Sequence, residues 1–86
     1  MGRLTTKQVA TLKEAGRHAD GSNLYLNIAK GGSKSWVFFY RHDGRQREMG
    51  LGGVGTNTLA EARTKGLAAL KLLKDGLDPL TREAIR

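Results

Sequence analysis

Three runs of residues with strand chemistry follow one another so closely that only antiparallel pairing can join them. Leu24 to Lys30 alternates, with Leu24, Leu26 and Ile28 on one side. Lys34 to Arg41 is rich in aromatic and β-branched residues, and Arg45 to Leu51 is the third run. The first gap is Gly31-Gly32-Ser33. The second is His42-Asp43-Gly44, whose Asp-Gly pair is a hairpin signal. A parallel connection needs roughly a dozen residues or more. The spacing therefore predicts a three-stranded meander.

Helix signals flank it. Thr5 supplies an N-cap and Gln8, three residues on, completes a capping box, with Leu4 and Val9 at the spacing of a hydrophobic staple. Val9 and Leu12 share a face, and Gly16 offers a stop after about 10 residues. A helix this short needs tertiary support. Arg17 to Ala19 reads as an extended lead-in to a turn at Asp20-Gly21-Ser22-Asn23. Beyond the meander, Gly50 to Gly55 is a glycine-rich exit, and Thr58 with Glu61 forms a second capping box that opens the longest helix. Leu59, Ala62, Gly66, Ala69 or Leu70, Leu73 and Leu77 fall on one side of it, and Gly76 and Pro79 end it. About 17 residues reach roughly 25 Å, enough to cross a three-stranded sheet. The expected fold is α+β: a three-stranded antiparallel sheet packed against a C-terminal helix, with a short N-terminal helix. Residues 1–79 form the domain, and 80–86, short and half charged, read as a linker.

An 86-residue chain is too short for a doubly wound nucleotide-binding fold or a barrel enzyme. Cysteine is absent, which excludes disulfides, a thiol nucleophile and Cys-based zinc sites. His18 and His42 cannot make a structural zinc site by themselves. No metal or cofactor is expected. No apolar run approaches the roughly 20 residues of a membrane span, and the N-terminus lacks the apolar stretch of a signal peptide, so a cytoplasmic protein is expected. The formal charge is +7. On so small a body this implies either a polyanionic partner (DNA, RNA or an anionic membrane) or a basic domain balancing the rest of a longer protein.

A helix on one side of a small sheet leaves the other side open. Leu24, Leu26 and Ile28 belong inside. On the middle strand either Trp36, Phe38 and Tyr40 or Val37 and Phe39 point inward. The first set carries more apolar area and is assigned to the core, with Met49 and Leu51. The open face then carries Tyr25, Asn27, Ala29, Ser35, Val37, Phe39, Arg41, Gln46, Glu48 and Gly50, while Lys30, Lys34, Arg45 and Arg47 gather at strand ends and turns. Residues 30–47 hold five basic residues against one acid, Asp43. A sheet fits the major groove. Asn27 and Gln46 suit adenine edges, Arg41 guanine, and Val37 or Phe39 a thymine methyl. Lys34, Arg45 and Arg47 suit phosphates. The competing reading makes Val37 and Phe39 a second small core under the first helix, and the basic residues a solvated rim.

Other patterns are weaker. Residues 50–55 match G-x-G-x-x-G between a strand and a helix, with Asp75 twenty residues after Gly55. No strand follows the helix, so the dinucleotide-binding context is missing. The structural reading is a flexible turn. His18 and His42 have only Asp20 and Asp43 as sequence neighbours at turns, and no catalytic site is found.

Several strings together resemble a known pattern. They are Leu4-Thr5, Ala19-Asp20-Gly21, Leu24-Tyr25-Leu26, Gly32-Ser33-Lys34-Ser35-Trp36, Phe38, Tyr40-Arg41, Leu51-Gly52, Leu59-Ala60-Glu61-Ala62-Arg63 and Gly76-Leu77-Asp78-Pro79. The chain resembles, from about Leu4 to Pro79, the N-terminal arm-type DNA-binding domain of phage and genomic-island integrases, which are tyrosine recombinases. The resemblance implies a sheet whose open face enters the major groove of double-stranded DNA at arm-type sites flanking the recombination core. It implies recombinase subunits and host DNA-bending proteins as further partners, and a catalytic set in a separate C-terminal domain, so that this chain binds but does not cut. DNA-contact candidates are Asn27, Lys34, Ser35, Val37, Phe39, Arg41, Arg45, Gln46 and Arg47. Family members often carry basic residues at the positions of Val37, Phe39 and near Glu48. Two other classes remain open: a protein-docking module of a recombinase using Val37 and Phe39, and a double-stranded RNA binder.

Overall fold

Each helix begins where its capping box puts it. The Thr5 hydroxyl accepts from the Gln8 N–H at 3.1 Å and the Gln8 amide oxygen accepts from the Thr5 N–H at 3.0 Å, opening α1 (Thr6–Thr11). Thr58 and Glu61 do the same at 3.1 and 2.9 Å for α2 (Leu59–Lys74). The computed structural model describes residues 4–42 (His42 by its backbone alone) and 44–81. Asp43 of the second turn and residues 82–86 of the expected linker lie outside the described residues.

The sheet has four strands, not three. β1 (Gly16–Gly21), β2 (Leu24–Ile28), β3 (Lys34–His42) and β4 (Arg45–Gly53) pair antiparallel in the order β1-β2-β3-β4. The segment expected as a lead-in, Arg17 to Ala19, is the middle of an edge strand. It shows no hydrophobic alternation because an edge strand that buries only Asp20 does not require it. Its turn is a two-residue hairpin in which Ser22 (φ 52°) and Asn23 (φ 70°) are both left-handed, between the paired Gly21 and Leu24. A register shift between Ala19 and Gly21 sets Asp20 out of the ladder.

α1 also stops earlier than Gly16. Leu12 is already extended at its C-cap, and Gly16 opens β1 instead. The carbonyls of Val9 and Ala10, left open by this short helix, accept from Lys34 Nζ at 2.8 and 3.1 Å. α2 ends as the sequence implies: Gly76 (φ 79°) lets the Leu77 N–H return to the Leu72 carbonyl at 2.8 Å.

The core lies between α2 and one face of the sheet. Leu26, Trp36 and Phe38 are fully buried there, joined by Leu24, Ile28, Tyr40 and Leu51, with Leu4 and Val9 from the α1 region. The inward assignment of Trp36, Phe38 and Tyr40 therefore holds. α2 presents Leu59, Ala62, Gly66 and Ala69. These are mostly small residues, so the helix approaches the sheet closely, and a Cβ on Gly66 would stand 3.8 Å from Leu24 Cδ1.

Candidate nucleic-acid interface

Residues opposite one another in an antiparallel ladder share a face. Away from α2, Arg17 lies opposite Asn27 and Asn27 opposite Ser35. Tyr25 lies opposite Ala19 and Val37, Val37 opposite Gly50, Phe39 opposite Glu48 and Arg41 opposite Gln46. Six of the nine expected contact residues (Asn27, Ser35, Val37, Phe39, Arg41 and Gln46) thus stand together on one surface. Arg41, Gln46, Glu48 and Gly50 are exposed there, while Tyr25, Asn27 and Ser35 are half-buried.

Val37 and Phe39 are not exposed, contrary to expectation. Each is 8% accessible. Their cover is not α1, whose Leu4 and Val9 side belongs to the main core on the other side of the sheet. For Phe39 it comes from the open face itself. Tyr25 packs edge-on against Phe39 with ring centroids 4.9 Å apart, and the Arg17 guanidinium carbon lies 4.6 Å from the Phe39 ring centre. Glu48 holds that guanidinium from the far edge strand, its carboxylate accepting from Arg17 at 2.9 Å. A salt-bridged side-chain strap crosses from β1 to β4 over a small apolar patch. The sequence put Glu48 on this face and treated Arg17 as part of a lead-in. The signal that could have placed it was the Gly16/Gly21 bracket around a short segment ending in a turn.

The other three candidates lie on the helix side. Lys34 is opposite Ile28, Arg47 opposite Tyr40 and Arg45 opposite His42. Lys34 closes the end of α1. Arg47 lies 3.4 Å from Asp78, whose other carboxylate oxygen accepts from the Tyr40 hydroxyl at 2.6 Å. Burial, and then the neighbouring Asp78 carboxylate, raises the Tyr40 pKa above the ordinary phenol range. Arg45 is exposed near the β3–β4 turn.

The strings that marked the sequence are largely structural. Asp20, 2% accessible, accepts from Arg63 Nε at 2.9 Å, from Arg63 Nη2 at 2.8 Å and from the Leu4 N–H at 3.0 Å, while Arg63 Nη2 also donates to the Leu4 carbonyl at 2.8 Å. The Asp20 hydrogen bonds raise the Arg63 pKa further. One ion pair therefore ties the chain start, β1 and α2 together. The N–H groups of the glycine-rich exit turn inward on the chain itself: Val54 donates to the Lys34 carbonyl at 3.1 Å, and Thr56 and Asn57 donate to the Gly53 carbonyl at 3.2 and 3.0 Å. Gly52 (φ 104°) lies against Asn57, and a Cβ there would clash with the Asn57 amide. Asn57 in turn accepts from Trp36 Nε1 on its carbonyl at 3.0 Å and from Lys65 Nζ on its side chain. Among the described residues no group of three His, Asp or Glu side chains could hold a metal ion, and no helix is long and apolar enough to cross a membrane.

Comparison with known proteins covers nearly the whole length of the chain. The Arm DNA-binding domain family matches residues 4–84. The integrase of Enterobacteria phage P4 is 40% identical over 82 residues, covering 90% of this chain and 19% of that protein. The integrase of Shigella phage Sf6 and the prophage integrase IntS of Escherichia coli K12 are each 36% identical over 80 residues, covering 90% of this chain and 21% of each relative. The chain thus spans about a fifth of the length of these curated relatives. On the match across residues 4–84, the chain belongs to the Arm DNA-binding domain family.

Proposed function

We propose that this chain is the arm-binding module of a phage- or prophage-type integrase, and that it binds double-stranded DNA in the major groove through the sheet face turned away from α2. It does no chemistry itself. In this reading residues 1–79 are the binding domain and 80–86 lead toward a core-binding and catalytic region. The protein works in the cytoplasm at the nucleoid, with other recombinase subunits and host DNA-bending proteins. The observation that carries the reading is the placement of Asn27, Ser35, Arg41 and Gln46 on one uncovered surface of a net basic domain.

Within that surface, Asn27 and Gln46 are the amides for adenine edges, and Arg41 is a fork for guanine. Arg45 and Arg47, reaching round from the helix side, take phosphates, and Lys34 does so only with the N–H its two carbonyl partners leave free. Val37 and Phe39 serve by shaping the floor. At 8% accessibility they offer little area for a thymine methyl or for a docked protein, which disfavours the protein-docking reading.

Titration of a labelled random-sequence duplex tests this directly. If about five phosphates are neutralised, log K should fall against log salt with a slope near −4.5. Amide shifts should cluster on the odd-numbered positions of β2 and β3. A flat salt response, or shifts confined to α2, would refute the assignment. An RNA duplex of the same sequence should compete poorly, because the A-form major groove is too narrow for a sheet. Equal competition would favour an RNA binder.

A further inference from the structure

We infer that Arg17 is a guanine-reading residue and Glu48 its positioning residue, on the footing that the open face is the DNA-facing surface. Neither residue was among the contacts expected from sequence. They stand on the two edge strands and meet over the middle of the face. Both side chains remain about half accessible, at 51% and 56%, so the pair is presented to a ligand rather than buried. The guanidinium is fixed twice: by the Phe39 ring beneath it at 4.6 Å and by the Glu48 carboxylate at 2.9 Å. The hydrogen bond to Glu48 uses one of its five donors.

This arrangement suits a base better than a phosphate. A phosphate is satisfied by a cation on a flexible stem, and fixing that cation gains little. Guanine O6 and N7 demand two N–H groups in one plane at a set angle, which a doubly held fork supplies. Glu48 argues the same way. A carboxylate in the middle of a polyanion-binding surface repels phosphates and weakens binding to every sequence, so its place there makes physical sense as an orienting group. The space beside it is open. Gly50, two residues along on the same face of β4, has nothing within 4 Å of where a Cβ would stand. A base edge can therefore approach the pair from that side.

The test is selection of the chain's preferred sites from a duplex pool with a randomised centre, using wild type, Arg17→Lys, Arg17→Ala, Glu48→Ala and Glu48→Gln, each checked for an unchanged melting transition. Wild type should enrich a site with guanine at one fixed position. Arg17→Lys and Glu48→Ala should lose roughly tenfold of the preference at that position alone. Glu48→Gln keeps an acceptor oxygen, so it should keep the preference while binding all sequences more tightly. The inference is overturned if Arg17→Lys preserves every preference while Arg17→Ala weakens all sequences alike and lowers the salt slope by about 0.9, the mark of a phosphate contact. It is also overturned if both Glu48 variants raise affinity equally with no positional change. A wild type that binds the pool without enriching any guanine position overturns it and leaves DNA binding standing. A wild type that retains no duplex at all overturns the proposed function as well.

Discussion

Replacing Arg63 with Ala should destabilise the domain by about 2–3 kcal/mol without touching the sheet face turned away from α2. Three hydrogen bonds vanish: two to Asp20, at 2.8 and 2.9 Å, and one to the Leu4 carbonyl at 2.8 Å. Removing one partner of a fully buried ion pair costs about 3–5 kcal/mol, because the other charge is stranded. Here the Asp20 side chain is 3% accessible but that of Arg63 is 38%, so water can follow the truncated side chain inward. The Leu4 N–H also still donates to Asp20. Both facts put the cost toward the low end. For a domain of this size each kcal/mol moves the melting midpoint by roughly 4–8 °C, so a drop of about 10–20 °C is expected. Trp36 reports it: its indole is fully buried and hydrogen-bonded, and its emission should shift to the red on unfolding. The urea midpoint should fall with an unchanged slope. Arg63→Lys should lie between the two, keeping a charge but losing the fork. A loss below about 0.5 kcal/mol would refute the structural role given to this pair. So would weakened DNA affinity at a temperature where the variant is still folded.

Gly52→Ala should cost about 2–4 kcal/mol, seen by thermal unfolding, since φ is 104° and the new Cβ would clash with the Asn57 amide, where Asn57 also supports Trp36. Gly66→Ala should do the reverse and add about 0.5–1 kcal/mol, because a mid-helix glycine is replaced and the methyl finds Leu24 at an ordinary 3.8 Å; a destabilised variant would mean that α2 sits closer to the sheet than described. Tyr40, whose folded-state pKa is raised by burial and then by Asp78, contributes stability that is fully present below the ordinary phenol value of 10.0 and is lost as pH rises through the folded value. Urea midpoints across this alkaline range should fall more steeply for wild type than for Tyr40→Phe, and equal slopes would count against the coupling.

The parts of the fold written in local chemistry were readable. Both capping boxes, the alternation of Leu24, Leu26 and Ile28, the Gly76 stop and the inward choice of Trp36, Phe38 and Tyr40 each need only neighbours within a few residues. β1 was missed because an edge strand is held by backbone pairing, which leaves no hydrophobic period to read. The open face was legible as a surface, since period two alone assigns it, but its occupancy was not. That Phe39 is covered depends on Arg17 reaching across from an edge strand without a hydrophobic period, and on Glu48 meeting it. Likewise the Lys34 and Arg47 charges looked available because their partners, the carbonyls ending α1 and the Asp78 carboxylate, are distant in sequence.

One consequence follows from burial on both sides of β3, where every residue from Trp36 to Tyr40 is 8% accessible or less. A strand wetted on one side is locked in phase by hydrophobicity, because sliding by one residue would expose its greasy half. Here a slip would set Val37 and Phe39 in place of Trp36, Phe38 and Tyr40, so the apolar area that favours the observed alignment is only the difference between two apolar faces. Polar bonds add to it: the indole N–H of Trp36 reaches a carbonyl at one end of the strand and the phenol of Tyr40 reaches Asp78 at the other. These two bonds act as dowels that fix the sliding coordinate of the central strand, and with it which side chains face outward at all.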